Sequence, residues 1–210
     1  MLKSNFRQPS ALTVCFHKEP GLHLYYDIDH QDKIIAVGGD WDAFAKENSG
    51  ESALAYKVIG TKIWDQIVDF ETRSYLNAFF FASRQKQVEI ATTYRCDAPD
   101  QPRLYKMRVT PFSLNDLALR ISHEPLEPTM IDMDASKLTW EDSECVPKCS
   151  ICCAFKVGDE WIDPFTRPDI RFFAHGHVVC TSCKRGAGAE LRHCGSNIQT
   201  QEQASSSSAC

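Results

Sequence analysis

Four cysteines in the last third of the chain are spaced for metal chemistry. Cys149 and Cys152 form one Cys-x-x-Cys pair and Cys180 and Cys183 a second, within KCSICCAFKVGDEWIDPFTRPDIRFFAHGHVVCTSCK. Each pair offers two thiolates from one tight turn, and two pairs complete the tetrahedral four-sulfur shell in which Zn2+ is commonly held. A segment of this size buries too little surface to fold alone, so a staple is expected, and a structural zinc contributes on the order of 10 kcal/mol of folding free energy. Spare donors lie alongside: His175 and His177 precede the second pair, Cys153 adjoins the first and Cys145 lies just upstream. All four are candidate alternates in the shell; for the two histidines the plainer reading is a loop position without metal contact. The same sulfurs could instead form a thiol redox switch, since metal-held thiolates can be oxidised with loss of the metal. A static disulfide knot is the third chemistry.

Compartment separates these readings. The first 20 residues, MLKSNFRQPSALTVCFHKEP, carry no long apolar core, and no apolar run approaches the roughly 20 residues of a membrane helix. A soluble, cytoplasmic protein with no membrane partner is expected, and a reducing cytosol favours metal over disulfide. Ten cysteines occur among 210 residues, and only Cys15 and Cys96 precede Cys145, a composition shift that marks a domain boundary. A net charge of -5 with interspersed signs argues against a protein built chiefly to neutralise phosphates, although a nucleic-acid partner stays open.

The elements that must carry this module are legible as runs. LHLYYDI and KIIAV read as a hairpin, WDAFAKEN as a short helix with Trp41 and Phe44 on one face, and ETRSYLNAFFFASRQKQ as the longest helix. VEIATTYRC, RLYKMRVTPF and LALRIS follow as three strands parted by turn residues. That order predicts an α+β fold, a five-stranded antiparallel sheet with its helices on one side. The expected division is an N-terminal extension (1–21), a main domain (22–123), a linker (124–144), the cysteine module (145–185) and a disordered tail (186–210). The tail is expected from its scarcity of large apolar residues and its serine run. Trp161, Phe165, Phe172 and Phe173 are the expected miniature core of the module.

Two resemblances rest on these residues. IIAVGGDWDAFAKEN, VIGTKIWDQIVDFETRSYL and YRCDAPDQPRLYKMRVTP resemble small bacterial PAS-like sensor proteins. The matching positions include Trp41, Phe44, Gly60, Trp64, Asp65, Glu71-Thr72-Arg73 and Arg95-Cys96-Asp97. The C-terminal stretch is similar to a short zinc-ribbon-like module that follows some bacterial sensor domains, through Cys149, Ser150, Cys152, Trp161, His177, Cys180 and Cys183. It departs at Val178 and Thr181, where that pattern has Gly and Pro, and at Cys153, a position usually basic there. The PAS resemblance implies a pocket between helices and sheet for an unknown ligand, with Trp41, Phe44, Trp64, Phe79, Tyr94 and Met107 as possible lining. It also implies a protein partner or a homodimer through that domain.

Catalysis is not expected. Four sulfurs close the metal shell, whereas a catalytic zinc keeps a position open. There is no Gly-rich phosphate loop, His-Glu-x-x-His or Gly-x-Ser-x-Gly. Cys96 and His123 offer a nucleophile and a base by type alone, and Cys96 falls in an expected strand, where a buried structural thiol is the ordinary case. The leading expectation is a non-enzymatic signalling or regulatory protein. One alternative is a zinc-dependent nucleic-acid-binding transcriptional regulator using Lys148, Lys156, Arg167, Arg171, Lys184 and Arg185, and another is a thiol redox sensor.

Overall fold

The computed structural model describes residues 24–47, 50–97, 102–113, 117–126, 142–167 and 170–206, so the expected extension 1–21 and residues 127–141 of the expected linker lie outside the described residues. Two antiparallel strands, β1 (Leu24–Ile28) and β2 (Ile34–Gly38), are followed by helices α1 (Trp41–Glu47), α2 (Ala55–Val58) and α3 (Phe70–Lys86). Three further strands, β3 (Ile90–Arg95), β4 (Leu104–Ser113) and β5 (Ala118–Pro125), complete a five-stranded antiparallel sheet in the order β2-β1-β5-β4-β3. The first and last segments of this unit therefore pair at its centre, Tyr26 opposite Ile121 and Leu24 opposite His123.

Strand alternation sorts the sheet into two faces. Leu24 of β1 is buried, and Tyr26 and Ile28 of β1, Ile90 of β3, Met107 and Val109 of β4, and Leu119 and Ile121 of β5 are buried and form one core with Tyr75, Phe79 and Phe80 of α3. On the opposite face Arg120 forks onto Asp27 at 2.8 and 2.9 Å and lies 4.1 Å above the Tyr25 ring. Gly38 sits opposite Tyr25, and a Cβ there would meet its ring at 2.2 Å, so only glycine admits that ring. Helix α3 ends at Gln87, whose left-handed φ of 52° turns the chain into β3.

The cysteine segment forms a second sheet in the order β8-β7-β6-β9, from β6 (Asp142–Cys149), β7 (Phe155–Val157), β8 (Glu160–Ile162) and β9 (Ile170–Val178). β6 and β9 run parallel, so their C-terminal ends lie together and deliver Cys149 and Cys180 to one place. Helix α4 (Thr181–Ser206) follows at once.

Several sequence expectations are corrected here. Residues 186–206, expected to be disordered, continue α4; Ala187 is buried and Leu191 packs on the main core, so a few small anchors suffice where large apolar residues are scarce. Residues 207–210 lie outside the described residues. Residues 124–125 belong to β5 and 142–144 to β6, which shortens the expected linker at both ends. The second cysteine pair of the module opens helix α4. The module does not have the expected miniature core: Phe173 is exposed, Phe172 stacks on Phe155 at 5.1 Å, and Cys149, Ile151, Val179 and Cys180 join the core of the first unit.

Candidate metal centre and the adjoining cavity

Cys149 ends β6, and the chain turns back at once: the Cys149 N–H donates to the Ala154 carbonyl at 2.7 Å and the Cys153 N–H to the Cys149 carbonyl at 3.0 Å. This knuckle brings Cys152 beside Cys149. Across from it, Cys180 precedes the first turn of α4 and Cys183 completes that turn. The four sulfurs lie within 4.8 Å of one another, with Cys149 to Cys183 at 3.9 Å and Cys152 to Cys180 at 3.8 Å. These spacings are nearly twice the ~2.05 Å of a disulfide and match the ~3.8 Å edge of a tetrahedron with metal–sulfur bonds of ~2.3 Å. The four cysteines together can hold a metal ion.

The surroundings favour anionic sulfur. The Cys180 N–H points at Cys149 Sγ and the Cys183 N–H at Cys180 Sγ, both at 3.4 Å, and the positive end of α4 lies beneath them. Hydrogen bonds from the Cys152 and Cys183 thiols hold Cys149 far below the ordinary thiol range. The same contacts push the others up, Cys152 to about 12 and Cys183 further, through their hydrogen bonds to Cys149. One thiolate thus forms at the expense of its neighbours, and only a cation among the sulfurs lets several ionise together. With Cys149 and Cys180 buried and Cys152 and Cys183 half-buried, the donor set fits a closed metal site.

The alternates stand apart from this group. His177 faces Asp69, Nδ1 to Oδ2 at 3.6 Å, and His175 is exposed on β9. Cys145 is exposed on β6. Cys153 turns away with φ 61°, donates to the Arg95 carbonyl at 3.3 Å, and is pushed up to about 11 by burial. That is the reverse of what a reactive thiol requires.

A cavity of about 220 Å³ lies between the sheet and the helices, and the knuckle forms one of its walls through Cys149, Ser150, Ile151 and Cys153. Of the lining residues expected from sequence, Trp41, Phe44, Tyr94 and Met107 reach it. Trp64 and Phe79 do not: the Trp64 indole donates to Asp32 at 2.7 Å and packs on Phe80, while Phe79 is fully buried against Tyr75. The sequence reading missed Tyr26, Tyr75, Thr92 and, as a cavity residue, His123, all of which line the cavity. The alternating pattern of β1, β3 and β5 places Tyr26, Thr92 and His123 on the helix-facing side, and the apolar stripe of α3 carries Tyr75; those were the signals available. His123 shares a hydrogen bond with the Tyr94 hydroxyl at 3.0 Å and lies against the Tyr26 ring; burial pushes its pKa down to about 4, so it is neutral near pH 7. Its partner is that hydroxyl, in a wall that also contains Cys96.

Three sets of contacts seat the module on the first unit. Glu71 accepts the Val179 N–H at 2.7 Å and the Lys184 ammonium at 3.1 Å. The Thr72 hydroxyl bonds that of Ser150 at 2.8 Å. Arg95 donates its backbone N–H to the Ile151 carbonyl at 2.7 Å and forks its guanidinium onto Asp97 and Asp163. No helix among the described residues is long and apolar enough to cross a membrane. Comparison of the chain with protein-family models and with curated proteins gives no match.

Proposed function

We propose that the chain is a non-enzymatic regulatory protein of the bacterial cytoplasm, in which a PAS-like domain senses a small ligand or a protein partner and a structural Zn2+ holds the C-terminal module against it. The observation that carries this reading is the shared cavity: its floor is sheet and helix from the first unit, and one wall is the turn between two metal-ligand candidates. A five-stranded antiparallel sheet with a cavity beneath its helices is what the PAS resemblance implies. Zn2+ fits four thiolates in a closed tetrahedron, and when bound it would offset half of their charge and supply folding free energy. Phe70 and Phe81 lie three turns apart on α3, 80% and 62% exposed, and support a protein partner or a second copy on that side. The nucleic-acid reading draws less support, because Lys184 is paired to Glu71 and Lys148 lies over Phe155.

Elemental analysis of the purified, reduced protein tests the reading beside a Cys149→Ser/Cys180→Ser variant. About one zinc per chain, lost in the variant, is expected. Metal-free wild-type protein that is fully folded would overturn it.

A further inference from the structure

The cavity's size and lining specify the chemistry of what it takes. Among apolar cavities, one of about 150 Å³ accommodates benzene. A cavity of about 220 Å³ therefore has room for a molecule of about nine non-hydrogen atoms, a fused or substituted single ring. Aromatic side chains are prominent in the lining, from Tyr26, Trp41, Phe44, Tyr75 and Tyr94, and such rings favour offset or edge contacts with a planar guest.

Around the Tyr94–His123 pair, away from the cysteine knuckle, the lining offers no unbalanced charge. His123 is neutral there, and the Arg95 guanidinium is spent on Asp97 and Asp163. The polar groups at depth already satisfy one another, Tyr94 with His123 at 3.0 Å and Tyr75 with Thr92 at 3.2 Å. A carboxylate or ammonium group buried among them would lose its hydration without gaining a counter-ion. Charged side chains occur at the partly exposed side, where Asp69, Lys148 and His177 gather.

We infer that this cavity is a binding site for a small, neutral, planar aromatic molecule with at most one hydrogen-bonding group, and that Ile151 of the metal-binding knuckle sets the size limit. Ile151 lies between Cys149 and Cys152, is 8% exposed, and lines the cavity. The occupant therefore touches the module directly. This rests on the sensing function proposed above and names the ligand class of that site.

The test uses the full chain with its bound metal, titrated with indole, indole-3-carboxylate and 2-naphthol and followed by calorimetry and ligand-observed NMR. Zinc content is measured on the same samples. Indole is expected to bind with Kd on the order of 0.1 mM, as ligand efficiency allows for a guest of this size, and indole-3-carboxylate at least ~30-fold more weakly, about 2 kcal/mol, because its charge is desolvated. Leu76→Trp, which fills the cavity without removing a hydrogen bond, should abolish indole binding. Ile151→Ala, which leaves all four cysteines in place, should shift the indole to 2-naphthol affinity ratio at least ~10-fold toward the larger ring by opening the wall. If the folded protein binds no indole, binds the carboxylate equally well, or retains indole in Leu76→Trp, the ligand assignment is overturned. An unchanged ratio in Ile151→Ala overturns the role of the knuckle. Absence of zinc in samples that do bind indole would overturn the metal reading alone.

Discussion

Glu71, in the first turn of α3, accepts the backbone N–H of Val179 at 2.7 Å, and Val179 is the residue before Cys180. A helix that contributes Thr72, Tyr75 and Leu76 to the cavity thereby also fixes the strand end that presents a candidate metal ligand. Glu71→Ala leaves the Val179 N–H without its acceptor and should weaken metal binding about tenfold, the lower end for groups that orient ligands. Competition with a chromophoric chelator measures this. Lys184→Met removes only the exposed half of the network and should change affinity far less. Equal effects would place the coupling in charge, not in the backbone bond.

The same carboxylate has a defined pH signature. The Val179 N–H, followed by Lys184, holds Glu71 below the usual carboxylate range. A group depressed in the folded state contributes stability above its unfolded pKa and loses it as pH falls through the folded value. Glu71→Gln should therefore lower stability at neutral pH and flatten part of the loss below about pH 4.5, so that the two proteins converge in acid, read by urea unfolding at stepped pH. A constant offset between the two proteins at all pH values would contradict this.

Cys153 lies in the left-handed region with φ 61°, a conformation that costs non-glycine residues about 1–2 kcal/mol. It also donates to Arg95 and lines the cavity, so its side chain returns something for that strain. Cys153→Ala and Cys153→Gly should both keep full metal content, because the thiol lies outside the four-sulfur group. The glycine variant should be the more stable of the two by about 1 kcal/mol. Loss of metal from either variant would return Cys153 to the shell.

Local pattern made much of this visible in the sequence. β-rich runs parted by turn residues marked the five strands of the first sheet, ETRSYLNAFFFASRQKQ marked α3 with its Tyr75, Leu76, Phe79 and Phe80, and spacing alone named the four cysteines that meet in space. Hidden were the consequences of docking. Residues 186–206 look structureless by composition, yet they extend a helix begun at Thr181 and anchored through Ala187 and Leu191, with the Leu191 carbonyl accepting from Lys86. Trp64 and Phe79 share the aromatic character of Trp41 and Phe44, but which aromatics reach the cavity depends on where α3 crosses the sheet. That crossing is set by pairs distant in the chain, such as Thr72 with Ser150, which no local period reports.

His123 supplies a second pH signature of separate origin. Burial pushes its pKa from 6.5 to about 4, and the groups around it, Tyr94 and Tyr26, are themselves neutral, their hydroxyls pushed up chiefly by burial. The unfolded chain binds the proton more readily, so stability is full above pH 6.5 and falls between that value and pH 4, by up to ~3 kcal/mol. His123→Phe should remove that slope while costing some stability at pH 7 through the lost Tyr94 hydrogen bond. Overlapping slopes for wild type and variant from pH 6.5 to 4 would show that the ring takes up its proton in the fold as readily as in the unfolded chain.

Removal of the metal should act first on the module. Its residues contribute to a core that belongs mostly to the other unit, and β7 and β8 are three residues each, too short to hold a sheet without support. In a bare four-thiol cluster a thiolate at Cys149 forms at the expense of Cys152 and Cys183, and the knuckle then depends on hydrogen bonds such as those from the Cys149 N–H to Ala154 and from the Arg95 N–H to Ile151. Strong chelation under reducing conditions should release α4, seen as a fall in helical ellipticity, and open Cys149, Cys152, Cys180 and Cys183 to alkylation together. A structural zinc worth on the order of 10 kcal/mol, at 2–4 °C per kcal/mol for a chain of this size, sets the expected fall in Tm at ~20 °C or more. Re-addition of Zn2+ should reverse all three changes. A chelated protein shown to be metal-free, with unchanged ellipticity and protected cysteines, would mean that packing on Ile151 and Val179 alone holds the module in place.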